Sequence, residues 1–154
     1  MTSRTGNGFD YPFEHAARDR FVLERRGVRP LHDPWQHQGM IVDDEPDAEG
    51  RMARVATVFL TGAECPWRCV MCDLWRNTLD RSVASGDIAR QIRHARDAFP
   101  PTRQIKLYNA GSFFDPQAIP PEDDEEIAAV VADFTRVIVE AHPAFLAGTY
   151  GRRC

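Results

Sequence analysis

Residues 55–72 read VATVFLTGAECPWRCVMC, an apolar run followed by a segment with three cysteines. The first six, Val55–Leu60, are apolar and rich in β-branched side chains, which predicts a buried strand of a mostly parallel sheet. The loop after it carries Cys65, Cys69 and Cys72 in the spacing C-x3-C-x2-C. The sequence therefore predicts a cysteine loop at the end of a buried strand.

Strand and helix patterns alternate after this loop. Ser85 or Asp87 is predicted to cap a helix that reaches about Phe99, because apolar residues between them recur at helical spacing. Residues 122–126 predict a solvated, acidic first helical turn. Two more strands are predicted over 105–108 and 137–140. The order β-α-β-α-β is typical of parallel strands joined by crossover helices, so we predict an α/β fold.

Residues 1–50 contain several prolines and little sustained periodicity, which predicts an irregular N-terminal extension. Within it, a short helix is predicted over 15–26, and the acidic segment 43–49 is expected to be solvated. Residues 51–154 form the predicted core domain. The sequence stops where a helix should follow the third strand, so we expect an incomplete core with three β/α units.

Composition narrows the class of protein. The chain has 154 residues, with 19 basic and 23 acidic side chains and a formal net charge of −4. No basic face indicates a nucleic-acid partner. No apolar run is long enough for a transmembrane helix, and the N-terminus lacks a secretory signal, so we expect a cytoplasmic protein without a membrane partner.

The cysteine spacing leaves two kinds of metal site open. In a reducing compartment, clustered cysteines indicate metal ligands or redox groups rather than disulfides. Three thiolates can hold a [4Fe–4S] cluster and leave one iron open to a small molecule. The alternative is a structural zinc site with His142, His94 or Cys154 as fourth ligand. Such sites usually use paired C-x2-C knuckles, and only one such pair is present.

Two segments carry a family resemblance. Residues 59–75, FLTGAECPWRCVMCDLW, and 105–120, IKLYNAGSFFDPQAIP, resemble the radical SAM superfamily, in its Elongator-catalytic-subunit-like and archaeosine-synthase-like branch. The resemblance spans about residues 55–143. It implies the amino-terminal part of a (β/α) partial TIM barrel. It also implies a [4Fe–4S] cluster on Cys65, Cys69 and Cys72, and an enzyme that cleaves S-adenosylmethionine with no catalytic residue beyond the cluster ligands.

The resemblance also implies cofactor-binding residues. Asn109, Gly111 and Ser112 take the place of a Gly-Gly-Glu-like element that contacts the amino group of S-adenosylmethionine, although no glutamate stands there. Met71 is expected to pack against the adenine. Glu140, at the end of the third strand, is expected to reach the ribose or methionine part.

The expected partner is a reductant such as ferredoxin or flavodoxin. Relatives that modify transfer RNA raise RNA as a substrate, but the acidic charge balance gives it no support, and the sequence names no substrate. The alternative function is a non-catalytic binding module stabilised by zinc or by an iron–sulfur cluster.

Overall fold

The computed structural model describes residues 11–146. Contacts divide the chain into two compact units, Met1–Val28 with Trp67–Cys72 and Arg29–Pro66 with Asp73–Cys154. In the smaller unit, helix α1 spans His15–Leu23, and Arg68 forms an ion pair with Asp19 of this helix at 3.4 Å. The predicted helix over 15–26 is therefore confirmed, with an earlier end.

The larger unit is built on a four-stranded sheet in the order β1-β2-β3-β4. The strands are β1 (Gly39–Pro46), β2 (Met52–Leu60), β3 (Gln104–Asn109) and β4 (Arg136–Val139). Strands β2, β3 and β4 run parallel, while β1 runs antiparallel to β2. The predicted α/β class and the order β-α-β-α-β are confirmed.

Strand β1 corrects the prediction of an irregular extension over residues 1–50. Its second half, Asp43–Pro46, is acidic and ends in proline, a composition that disfavours strands. The strand pairs with β2 over its whole length, and two basic side chains of the sheet offset its charge: Arg54 of β2 pairs with Asp44 at 3.1 Å, and Lys106 of β3 pairs with Glu45 at 2.5 Å. Asp43 and Asp44 are solvent-exposed, as predicted, but they lie in the sheet.

Helices α2 (Asp87–Ala98) and α3 (Asp124–Val130) pack on one face of the sheet. Alternate residues of the strands point towards these helices and are fully buried, among them Val58, Leu60, Ile105 and Leu107. The residues between them, such as Lys106 and Tyr108, are only half-buried. One face of each strand is therefore in the hydrophobic core, and the other stays partly open.

The start of α2 differs from the prediction. Neither Ser85 nor Asp87 caps it; the capping position is Gly86, in the left-handed region at φ 86°. The residues just before the helix bond to a carboxylate distant in sequence, because Asp123 accepts from the Gly86 N–H at 2.9 Å and from the Ser85 hydroxyl at 2.5 Å. Asp123 is 1% exposed, so the prediction of a solvated acidic turn over 122–126 is wrong for this residue.

Helix α3 has only seven residues. A 3-10 turn over Pro121–Asp123 precedes it, and it ends at Val130, although Phe134 still packs against the core. A short 3-10 turn over Pro143–Phe145 follows β4. Across residues 11–146, no helix is long and apolar enough to cross a bilayer.

Candidate functional site

The cysteine loop leaves the carboxyl end of β2 and returns beside its own start. The Leu79 N–H donates to the Gly62 carbonyl at 2.9 Å, and Ala63 forms a parallel bridge with Leu79. We call residues 62–64 and 75–79 the loop neck. Because the neck is hydrogen-bonded to itself, the two ends of the loop are held at the edge of the sheet where parallel strands place ligand sites.

The three predicted ligands fall in different compact units. Cys65 belongs to the larger unit and is half-buried. Cys69 is exposed and Cys72 half-buried in the smaller unit, where the Cys72 N–H donates to the Cys69 carbonyl at 3.1 Å. Met71, predicted to contact adenine, is 89% exposed. Within residues 11–146, no three His, Cys, Asp or Glu side chains are grouped so that they could hold a metal ion.

Gly111 lies directly against the start of the cysteine loop. A Cβ at this position would stand 3.3 Å from the Ala63 carbonyl oxygen and 3.6 Å from the Cys65 nitrogen. The absence of a side chain therefore lets the turn after β3 approach the backbone that carries Cys65. The resemblance implies that Gly111 lies close to the bound cofactor. In the structure, Gly111 lies close to the backbone of the cysteine loop.

Asn109 has a buried side-chain amide at the carboxyl end of β3. It is the last residue of β3, is 8% exposed, and lies opposite Leu60, the last residue of β2. Neither Nδ2 nor Oδ1 of its amide has a hydrogen-bond partner among the residues that the structure describes. A buried amide with both groups unsatisfied is costly, so it indicates a place where a polar ligand group would be stabilising.

A cavity of about 340 Å³ opens beside this amide. Its volume falls in the range of roughly 300–1,000 Å³ that is usual for small-ligand pockets. It lies at the carboxyl ends of the parallel strands, where the predicted loops meet. The lining residues are Gln38, Phe59, Leu60, Leu74, Asn77, Tyr108, Asn109, Ala110 and Glu140.

The other two predicted cofactor contacts have clear positions. Glu140 follows β4, lines the cavity and is exposed; its carbonyl accepts from the Phe113 N–H at 2.8 Å. Ser112 is fully buried, and its hydroxyl oxygen accepts from the His142 N–H at 3.0 Å. Ser112 therefore fastens the loop after β4 to the loop after β3. The structure brings Asn109 and Glu140 to one cavity and gives Ser112 a supporting role.

Sequence reasoning missed the aromatic wall of the cavity. Phe59 and Tyr108 pack edge to face with their ring centroids 6.4 Å apart. Both stand next to the last residue of their strands, and period-two alternation places them on the face opposite Val58 and Leu107, so this signal was present. Gln38 gave no such signal, because it reaches the cavity from the segment that the sequence left irregular.

The residues weighed as a fourth zinc ligand lie in separate places. His94 is exposed on α2, with its ring 5.4 Å from that of His37. Burial and the neighbouring His94 lower the pKa of His37 below its ordinary value. The Nδ1 atom of His142 accepts from the Ala144 N–H at 3.2 Å. Cys154 lies outside the described residues.

Comparisons with protein-family models, with curated proteins and with solved structures found no match for this chain.

Proposed function

We propose that this chain is a radical SAM enzyme, or part of one, that binds a [4Fe–4S] cluster through Cys65, Cys69 and Cys72. The observation that carries the proposal is that the cysteine loop begins next to a cavity. The C-x3-C-x2-C loop leaves β2 beside a cavity whose buried wall presents the unsatisfied amide of Asn109. When bound, such a cluster supplies the electron that cleaves the sulfonium bond of S-adenosylmethionine.

The donor set fits a cluster better than a structural zinc ion. Iron–sulfur clusters take cysteine thiolates, and three ligands from one short loop leave one iron open for a small molecule. A structural zinc ion needs four protein ligands, and the chain offers no second C-x2-C pair. Each of the three cysteines is also at least partly accessible, which suits assembly of a cluster from solution.

The cavity fits the polar end of an amino-acid cofactor. The Asn109 amide can donate to a carboxylate and accept from an ammonium group at the same time. It would satisfy both of its own groups by doing so, which is why a ligand with both charges suits it. Glu140 adds an acceptor at the same rim. The Phe59 and Tyr108 rings offer an apolar wall for an aromatic group such as adenine.

We also propose that the sheet is the start of a (β/α) barrel. Three parallel strands with two crossover helices would be the first units of a (β/α) barrel, with the cofactor at the carboxyl ends of the strands. The half-open face that carries Lys106 and Tyr108 would then be the inner face of that barrel. A one-electron donor of the ferredoxin or flavodoxin class would complete the reaction.

The test is anaerobic reconstitution of the full chain with iron and sulfide. We expect about four irons per chain and broad visible absorption, and both should be lost when Cys65, Cys69 and Cys72 are all replaced by serine. The matched control, Cys154→Ser, should keep the full iron content. Stoichiometric zinc without any cluster would instead indicate the zinc-stabilised binding module.

A further inference from the structure

The loop neck is held by a residue from outside the loop and outside the region of family resemblance. Arg29 is 25% exposed and forms an ion pair with Glu64, the residue before Cys65, at 2.5 Å. Glu64 is itself 15% exposed. A largely buried guanidinium therefore contacts the outgoing side of the neck immediately next to the first predicted ligand.

The same guanidinium binds the returning side of the neck. Its Nη1 atom donates to the Trp75 carbonyl at 2.9 Å, to the Leu79 carbonyl at 3.4 Å and to the side chain of Thr78. The Thr78 hydroxyl in turn donates to the Trp75 carbonyl at 2.7 Å. Arg29 thus provides a positive charge where the 3-10 turn Leu74–Asn77 ends and exposes its carbonyl groups.

We propose that Arg29 is a positioning residue that binds both sides of the loop neck and so holds Cys65 for cluster binding. The second part of this inference, that Cys65 is held for cluster binding, rests on the proposed function. The planar guanidinium suits the task because it offers several donors in fixed directions, one side for the carboxylate and the other for the carbonyls. A lysine ammonium is a single point and does not bridge both sides of the neck.

A second contact from the same segment supports this role. The Nε2 atom of His32 lies 2.5 Å from the Arg76 carbonyl oxygen, again on the returning side of the neck. Residues 29–32 therefore run along the neck, and Arg29 contacts it through more than one hydrogen bond. The contact is built into the larger unit and needs no bound metal to form.

The first experiment uses the metal-free full chain and trypsin. Cleavage after Arg76 reports opening of the neck, and cleavage after Arg54, inside β2, reports opening of the sheet. In Arg29→Gln, the ratio of the first rate to the second should rise roughly tenfold or more, because hydrogen bonds to a charged group are lost. Arg93→Gln is the matched control, since it removes an arginine that pairs with Glu126 between α2 and α3. It should leave the ratio unchanged.

The second experiment measures the reduction potential of the reconstituted cluster, because a purely structural residue would not change it. Arg29→Gln removes a positive charge beside Glu64, so the potential should become more negative than in the wild type. Arg29→Lys keeps the charge but does not bridge both sides of the neck. It should therefore leave the neck more open to trypsin than wild type and restore the potential only in part, and the remaining difference reports the position of Cys65.

An unchanged cleavage ratio in Arg29→Gln would overturn the proposal. A raised ratio together with a fully wild-type potential in Arg29→Lys would overturn the positioning of Cys65, because charge alone would then account for the potential. A wild-type chain that takes up no cluster would overturn the proposed function instead, and the cleavage ratio would still decide whether Arg29 closes the neck.

Discussion

Replacing Gly111 with alanine should loosen the start of the cysteine loop. The added Cβ would stand 3.3 Å from the Ala63 carbonyl oxygen, 3.6 Å from the Cys65 nitrogen and 3.7 Å from the Ala118 Cβ. The first of these distances is shorter than ordinary van der Waals contact, so the backbone before Cys65 must move. Overpacking of this kind typically costs about 1–3 kcal/mol.

Two other glycines of the larger unit provide comparisons for the change in unfolding free energy. A Cβ at Gly39 meets nothing within 4 Å, so Gly39→Ala should be neutral or stabilise by up to about 1 kcal/mol. A Cβ at Gly62 would stand 3.0 Å from the Ala118 carbonyl oxygen, which is backbone. Gly62→Ala should therefore destabilise more than Gly111→Ala.

The assay is urea unfolding of the three variants, followed by iron retention after reconstitution. The expected order of unfolding free energies is Gly39→Ala highest, then Gly111→Ala, then Gly62→Ala. Gly111→Ala should also retain less iron than Gly39→Ala, because its displaced neighbour carries Cys65. If Gly111→Ala matches Gly39→Ala in both measurements, the close approach of the two loops is refuted.

Three further predictions concern the stability of the fold around the site. Gln91→Leu should lower the urea unfolding free energy by about 2–4 kcal/mol, because the fully buried amide accepts from the Thr61 N–H at 2.8 Å and donates to its carbonyl at 2.9 Å. Asp123→Ala should cost about 1–3 kcal/mol in the same assay, since it removes the buried carboxylate that accepts from the Gly86 N–H and the Ser85 hydroxyl; an unchanged midpoint would contradict that role. The pKa of His37 is lowered in the folded chain, so the unfolded chain binds more protons at this residue. The contribution of neutral His37 to the free energy of unfolding is therefore lost as the pH falls below about 6.5, the ordinary value for histidine. His37→Gln should flatten the unfolding free energy between pH 8 and 5 relative to wild type, and an unchanged slope would refute the assignment.

The parallel part of the fold could be predicted because its signals are local. The runs Val55–Leu60 and Ile105–Tyr108 are short and apolar, and α2 carries a clean apolar stripe, so each pattern matched one element. Strand β1 could not be predicted in the same way. Its apolar run covers only Met40–Val42, and its second half is acidic and ends in proline. It is held by pairing with β2, and Arg54 of β2 and Lys106 of β3 form ion pairs with Asp44 and Glu45.

The candidate site also contains residues that local sequence patterns place and residues that they do not. Asn109 and Glu140 could be placed at one edge because the ends of parallel strands meet there, and the structure brings both to one cavity. Arg29 and Gln38 could not, because both reach the site from a segment whose pattern predicts no element. Their roles depend on contacts across more than twenty positions of sequence, which no local pattern records.

The central claim is that the cysteine loop holds a cluster that cleaves S-adenosylmethionine. The most direct measurement is the amount of 5′-deoxyadenosine formed when the reconstituted full chain is reduced with dithionite in the presence of S-adenosylmethionine. We predict that the wild type forms it, that replacing Cys65, Cys69 and Cys72 together by serine abolishes it, and that Asn109→Ala reduces it. A chain that holds about four irons yet forms no more 5′-deoxyadenosine than the triple variant would contradict the claim.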